Sequence, residues 1–73
     1  GVAPAAARLL ARFGFEELKM NRLEIVAAVG NKASQRVAEK VGATREGVLR
    51  NRIRVREKIY NAVMFSLIAT DLI

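Results

Sequence analysis

Few side chains in this sequence can do chemistry, and those that can are crowded into one stretch. Among the 73 residues there is no Cys and no His, which removes thiol nucleophiles, Ser-His-Asp hydrolases and any metal site not built from carboxylates alone. No metal is expected. Between Gly30 and Gly47 there remain Asn31, whose amide can donate and accept, and Ser34, whose hydroxyl can release a proton, with cations at Lys32, Arg36 and Lys40 beside them. Read on their own, Asn31 is a turn or helix N-cap residue, Ser34 a first-turn residue, and the three cations a solvated basic face. Past Gly42 the carboxylates before Asp71 are Glu46 and Glu57, and both read as surface residues.

These groups need elements to hold them. Leu23–Val29 is a short apolar run that predicts a strand with much of both faces covered, and Gly30-Asn31 breaks it. From Lys32 onward Ala33, Val37, Ala38 and Val41 recur at helical spacing, which predicts a helix of two to three turns with those residues inward and Gly42 as its stop. Upstream, Pro4 suits the first turn of a longer helix whose apolar stripe is Ala5, Leu9, Leu10, Phe13 and Leu18. Gly14 inside that helix either permits close packing or is a weak point worth about 1 kcal/mol.

Downstream, Thr44 to Leu49 alternates as a strand, with Gly47 marking a bend or bulge. Arg50, Arg52, Arg54 and Arg56 then share one face of an extended segment, Glu57-Lys58 makes a hairpin tip, and Tyr60–Ile68 returns with Val63, Phe65 and Leu67 on one face. The expected fold class is α/β: helix, strand, helix, then an antiparallel hairpin.

One order of residues goes further. Asn31-x-x-Ser34-x-x-Val37-Ala38-Glu39-Lys40-x-Gly42, followed by Arg45-Glu46-Gly47-x-Leu49-Arg50, resembles the C-terminal half of the GNAT N-acetyltransferase superfamily, in its ribosomal-protein acetyltransferase branch. The resemblance covers nearly all of the chain and about the second half of a family domain. It implies residues 1–73 to be a C-terminal fragment of one acetyltransferase domain, forming half of a mixed sheet, with acetyl-CoA as cofactor and an amine, such as a protein N-terminus, as acceptor. Gly1, Val2 and Ala3 match the last three positions of the family's pyrophosphate loop, which fits the attraction of a helix N-terminus for phosphate. Asn31 resembles the Asn that hydrogen-bonds the pantetheine arm. Ser34 resembles the Ser near the cofactor's sulfur, implied to be catalytic as the proton donor to the departing thiolate. Phe65 stands where a Tyr is frequent, so the family's phenol is missing and Ser34 is the remaining donor.

Composition bounds the rest. A chain this short buries roughly 60% of its unfolded surface, and no apolar run approaches the ~20 residues of a membrane span. The absence of Cys fits a reducing cytoplasm. A formal charge of +6 suits an anionic partner, so the second reading is a small nucleic-acid-binding module using the Arg50, Arg52, Arg54 and Arg56 face. Against it stand only three Phe and one Tyr for base stacking. The fragment alone is expected to be inactive, since the strand that would pair with Leu23–Val29 is outside it. The free edge of 23–29 is expected to recruit a second copy, as a dimer or swapped assembly.

Overall fold

The computed structural model describes the backbone of residues 2–72 and the side chains of residues 4–72. The elements follow as α1 (Val2–Glu16), β1 (Leu23–Ala28), α2 (Lys32–Val41), β2 (Thr44–Val55) and β3 (Lys58–Leu67), closed by a 3₁₀ turn at Ala69–Leu72. Helix, strand, helix and hairpin stand in the expected order. Both strand pairings are antiparallel, and the sheet order is β1-β3-β2, so the last strand of the chain is the middle one in space.

Register explains which face is covered. Leu23, Ile25 and Ala27 of β1 lie opposite Leu67, Phe65 and Val63 of β3, and successive residues of a strand point to opposite sides. These residues make one apolar face, and both helices pack on it. From α2 come Ala38 and Val41, and from α1 Ala11 and Phe15, with Leu72 of the closing turn sealing the same cluster. The other face, carrying Val26, Ala28, Leu49, Ile53 and Tyr60, has no helix over it among the described residues.

The buried side of α1 differs from the expected stripe. Leu9, Leu10 and Phe13 are 70%, 72% and 54% exposed, and Leu18 lies beyond the helix end. What faces the core is Ala7, Ala11, Gly14 and Phe15, at spacings of four, three and one. The helix is apolar almost all round, so hydropathy left its rotation open, and small residues won because they let its backbone sit close to the sheet. Gly14 makes room for the connection that follows: a Cβ there would meet Met20 Sδ at 3.2 Å, with Leu23 Cδ1 of β1 at 4.0 Å. On α2 the correction is smaller, with Ala33 exposed and Gln35 buried in its place.

Two polar devices join the elements. Arg8 donates to the Val41 carbonyl at 2.8 Å and Arg12 to the Leu72 carbonyl at 3.1 Å, so α1 satisfies open carbonyls at the end of α2 and of the closing turn. Gly42 ends α2 in the left-handed conformation (φ 98°), its N–H turned back to the helix carbonyls, which favours a residue without Cβ.

The second device crosses the sheet. A bulge between Arg45 and Gly47 sets Glu46 as an extra residue on β2, where Arg22 bonds both Glu24 of β1 and Glu46, each at 3.0 Å. Ser66 of β3 donates to the same Glu46 oxygen. Arg22 thereby ties β1 to β2, and Glu46 extends the tie to β3 through Ser66.

The hairpin tip is shifted by one residue from the expected place. Its loop is Arg56-Glu57, with Arg56 in the left-handed region (φ 58°), and Lys58 already pairs with Val55. A second irregularity lies between Leu49 and Ile53, where β2 carries two extra residues and Asn51 (φ 52°) donates its N–H to Asn61 Oδ1 at 2.9 Å. The simple alternation expected across the four arginines is interrupted there. Leu49, Ile53 and Val55 still share a face, opposite Ala62, Tyr60 and Lys58.

The Ser66 hydrogen bond, and then the Arg22 contacts, hold the Glu46 carboxyl below the usual glutamate range. A depressed folded-state value means a contribution present above the ordinary value of about 4.3 and lost as pH falls through the folded one. Urea unfolding followed from pH 7 to pH 3 should therefore show a steeper acid-side loss of stability for the parent than for Glu46→Gln. Parallel curves would show that the clasp carries no linked proton.

Candidate functional site

The residues singled out around position 30 meet where β1 ends. β1 runs Leu23 to Ala28, and the Gly30-Asn31 break leads into α2, which returns along the sheet with Val41 packed beside Leu67, the partner of Leu23. α1 is aligned the same way, since Gly14 lies against Leu23 while Ala7 and Leu10 border a groove beside Ile25. Both helices thus run against β1. Their N-termini open at the end where β1 stops, and each carries unpaired N–H groups and the positive end of a helix dipole.

Asn31 is the N-cap of α2, its Oδ1 accepting from the Ser34 N–H at 3.1 Å. The cap uses the carbonyl side of the amide, and its NH₂ has no partner among the described residues. Ser34 sits half-buried in the first turn, with no recorded partner for its hydroxyl among the described residues. The structure brings Asn31 and Ser34 together through this cap. Val2 and Ala3 open α1, whereas Gly1 lies outside the described residues.

Gln35 was not singled out from the sequence, yet it fixes the site. It is buried, and its Nε2 donates to the carbonyls of Val29 at 2.8 Å and Ala28 at 3.2 Å. Among the described residues the Val29 carbonyl has no other donor, whereas the Ala28 carbonyl also accepts from the Asn31 N–H at 2.8 Å; an unpaired buried acceptor would cost about 1–3 kcal/mol. The Gln35 amide therefore sets the start of α2 against the end of β1. The signal was available in the spacing, because Gln35, Ala38 and Val41 stand three apart on one face of α2.

Around this seam the surface is open. Ala28, Gly30 and Asn31 border a groove of about 350 Å3 with Ile53, Val55 and Tyr60 of the hairpin. Among the described residues no group of three or more His, Cys, Asp or Glu is placed to hold a metal ion, and no helix is long and apolar enough to cross a membrane.

The family model of the acetyltransferase (GNAT) domain matches residues 1–44, which run from the start of α1 through α2 to the first residue of β2. The chain belongs to the GNAT acetyltransferase family. A Bacillus subtilis protein provisionally named as the ribosomal N-acetyltransferase YdaF is 41% identical over 71 residues, covering 97% of this chain and 39% of YdaF. A crystal structure assigned to an acetyltransferase is 39% identical with a TM-score of 0.87, covering 97% of this chain and 40% of that one. The microcin C7 self-immunity acetyltransferase MccE, solved with acetyl-CoA and AMP, is 26% identical with a TM-score of 0.85, covering 93% of this chain and 38% of that one. The GNAT chain described here thus spans about two fifths of the length of these relatives, and its helix-strand-helix-hairpin order is a part of their fold.

Replacing Gln35 by Leu should keep the volume of the site and leave the Val29 carbonyl without a partner, while the Ala28 carbonyl keeps the Asn31 N–H. A stability loss of about 1–3 kcal/mol is expected in urea, with faster amide exchange at Ser34 and Gln35 than elsewhere in α2. Unchanged exchange at those two amides would remove Gln35 from its positioning role.

Proposed function

We propose that this chain is the cofactor-facing part of an acetyl-CoA-dependent N-acetyltransferase whose acceptor is an amine, a protein N-terminus being the form suggested by the name of YdaF. The observation that carries the reading is the seam at the end of β1, where Asn31 caps α2 and holds Ser34 beside it, in a chain of this family. The residues present fit the group. Two helix N-termini face the same end, the Asn31 NH₂ is left over by the cap, and Lys32, Arg36 and Lys40 are exposed along α2, which suits phosphates and an amide-bearing arm.

Acetyl-CoA supplies an activated acetyl group held as a thioester. The Asn31 NH₂ donates to a carbonyl of the cofactor's arm and orients it across the seam, while the α1 N-terminus, opened by Val2 and Ala3, meets phosphate. Gly1 is assigned to the same phosphate contact. As the amine nitrogen bonds to the acetyl carbon and the carbon–sulfur bond breaks, the Ser34 hydroxyl gives its proton to the sulfur and recovers one from water. The amine's own surplus proton goes to a base outside this chain. With no Cys to protect, we assign the work to the reducing cytoplasm.

In the full-length protein, Ser34→Ala should lower kcat by about 10²-fold with little change in KM for acetyl-CoA, and the chain 1–73 alone should transfer no acetyl above a heat-killed control. An undiminished kcat in the variant would take the proton-donor role from Ser34. Detectable turnover by residues 1–73 would show that the oxyanion donor and base lie within them.

For residues 1–73 on their own we further propose a dimer or swapped assembly through β1. Strand Leu23–Ala28 pairs with β3 alone, so one row of its N–H and C=O groups stands open beside exposed Leu10. Sedimentation at concentrations near 1 mM should give twice the chain mass; a monomer there would rule the pairing out.

A further inference from the structure

The groove at the end of β1 does not stop at the seam. Val55 and Tyr60, which border it opposite Asn31, also border a wider hollow of about 600 Å3 with Arg56, Glu57 and Lys58. The two hollows share a wall, so one continuous track leads from the Asn31 end along the uncovered side of the hairpin to its tip. Along this track the exposed surface is apolar first, with Tyr60 41% and Val55 55% exposed, and cationic afterwards.

The charge at the far end is uncompensated. Residues 50–58 hold Arg50, Arg52, Arg54, Arg56 and Lys58 against Glu57 alone, five positive charges less one negative, or +4. Among the described residues the salt bridges all belong to Arg22, at the opposite end of the sheet. Arg54 is not left to swing freely, because its Nε donates to the Arg56 carbonyl at 3.2 Å.

Reach sets what fits. The Val29 N–H bonds the Asn61 carbonyl, which marks the end of β1 against β3, and Lys58 lies three residues further along the same strand. At about 3.4 Å per residue the cations stand roughly 10 Å from the seam. An extended peptide covers that distance with about three residues.

We propose that the hairpin selects the acceptor: an extended acidic N-terminal segment, its free amine at the Asn31–Ser34 end, small apolar residues against Tyr60 and Val55, and carboxylates at about its third to fifth positions meeting Arg56 and Lys58. This rests on the acetyl-transfer reading and names its substrate class. Charge complementarity argues for the occupant. A nucleic acid would find the same cations but only Tyr60 as an aromatic on the track, too little for base stacking.

The test uses the full-length protein and eight-residue peptides with free N-termini, labelled at the C-terminus. One carries carboxylates at positions three and four, a second the matching amides, and a third the carboxylates moved to positions seven and eight. Two partly exposed ion pairs should favour the first peptide over the second and third by roughly fivefold, both in kcat/KM, through KM, and in binding by fluorescence anisotropy without acetyl-CoA. Arg56→Gln with Lys58→Gln should erase the advantage, the amide peptide serving as reference within the same variant, and so should raised salt. Equal use of the three peptides, an advantage that survives the double variant, or tighter binding of a single-stranded RNA 12-mer than of the acidic peptide would overturn the proposal. If no peptide is acetylated at all, the acetyl-transfer reading fails, and the anisotropy series still decides whether the hairpin binds acidic segments.

Discussion

The structure depends on β3 being hydrogen-bonded on both of its edges. Leu23 to Ala28 pair along one side and Thr44 to Val55 along the other, so Val63, Phe65 and Leu67 are enclosed by strands laterally and by helices above. Phe65 is fully buried. The helices also pack on one another: Val41 of α2 shares a cluster with Ala11 and Phe15 of α1 over Leu67, while Ala38 of α2 covers Val63 and Phe65. Remove β3 and the sheet is lost, since among the described residues β1 and β2 pair with β3 and not with each other. Burial of an aromatic and two aliphatic side chains of this kind is worth about 1.5–3 kcal/mol each, a large share of what a domain this small can muster.

From that strip the site follows by geometry. Past the end of β1 the Asn31 N–H takes the Ala28 carbonyl, Gln35 joins it there and takes the Val29 carbonyl, and the position of Gln35 fixes where α2 begins. Asn31 then has one choice of cap and Ser34 one place to stand. The chemistry proposed for these residues is thus held by a neutral, buried amide that itself touches nothing reactive. A side chain can be indispensable to a site through the orientation of the backbone alone.

Much of this was legible in the sequence where local rules dominate. Gly42 as a left-handed stop, Gly47 beside a bulge, Asn31 as a cap and the return of the hairpin each depend on a few consecutive residues, and each appears in the structure. The rotation of α1 was not legible, because Leu9, Leu10 and Phe13 look inward to any hydropathy count while Ala7, Ala11 and Gly14 look indifferent. Only the sheet's demand for close approach separates them. The Arg22, Glu46 and Ser66 clasp was hidden for another reason: its members lie 20 and 24 residues apart, and a bulge had to displace Glu46 before they could meet. Strand order was equally beyond a local reading, since nothing in Lys58–Leu67 announces that it will be inserted between two earlier strands.

The two outer edges of the sheet are unlike each other. β2 uses the twelve residues Thr44 to Val55 to accompany the nine from Lys58 to Ser66 of β3, and the surplus of three is spent on bulges at Glu46 and around Asn51, among arginines and left-handed backbone. Such an edge is kinked and self-repelling, a poor template for another strand. β1 has no bulge and a single charge, Glu24. Growth of this sheet is therefore directional: whatever strand completes it, from the same polypeptide or another, has one side on which to add, and the chain is protected from joining like edges into an open-ended fibre.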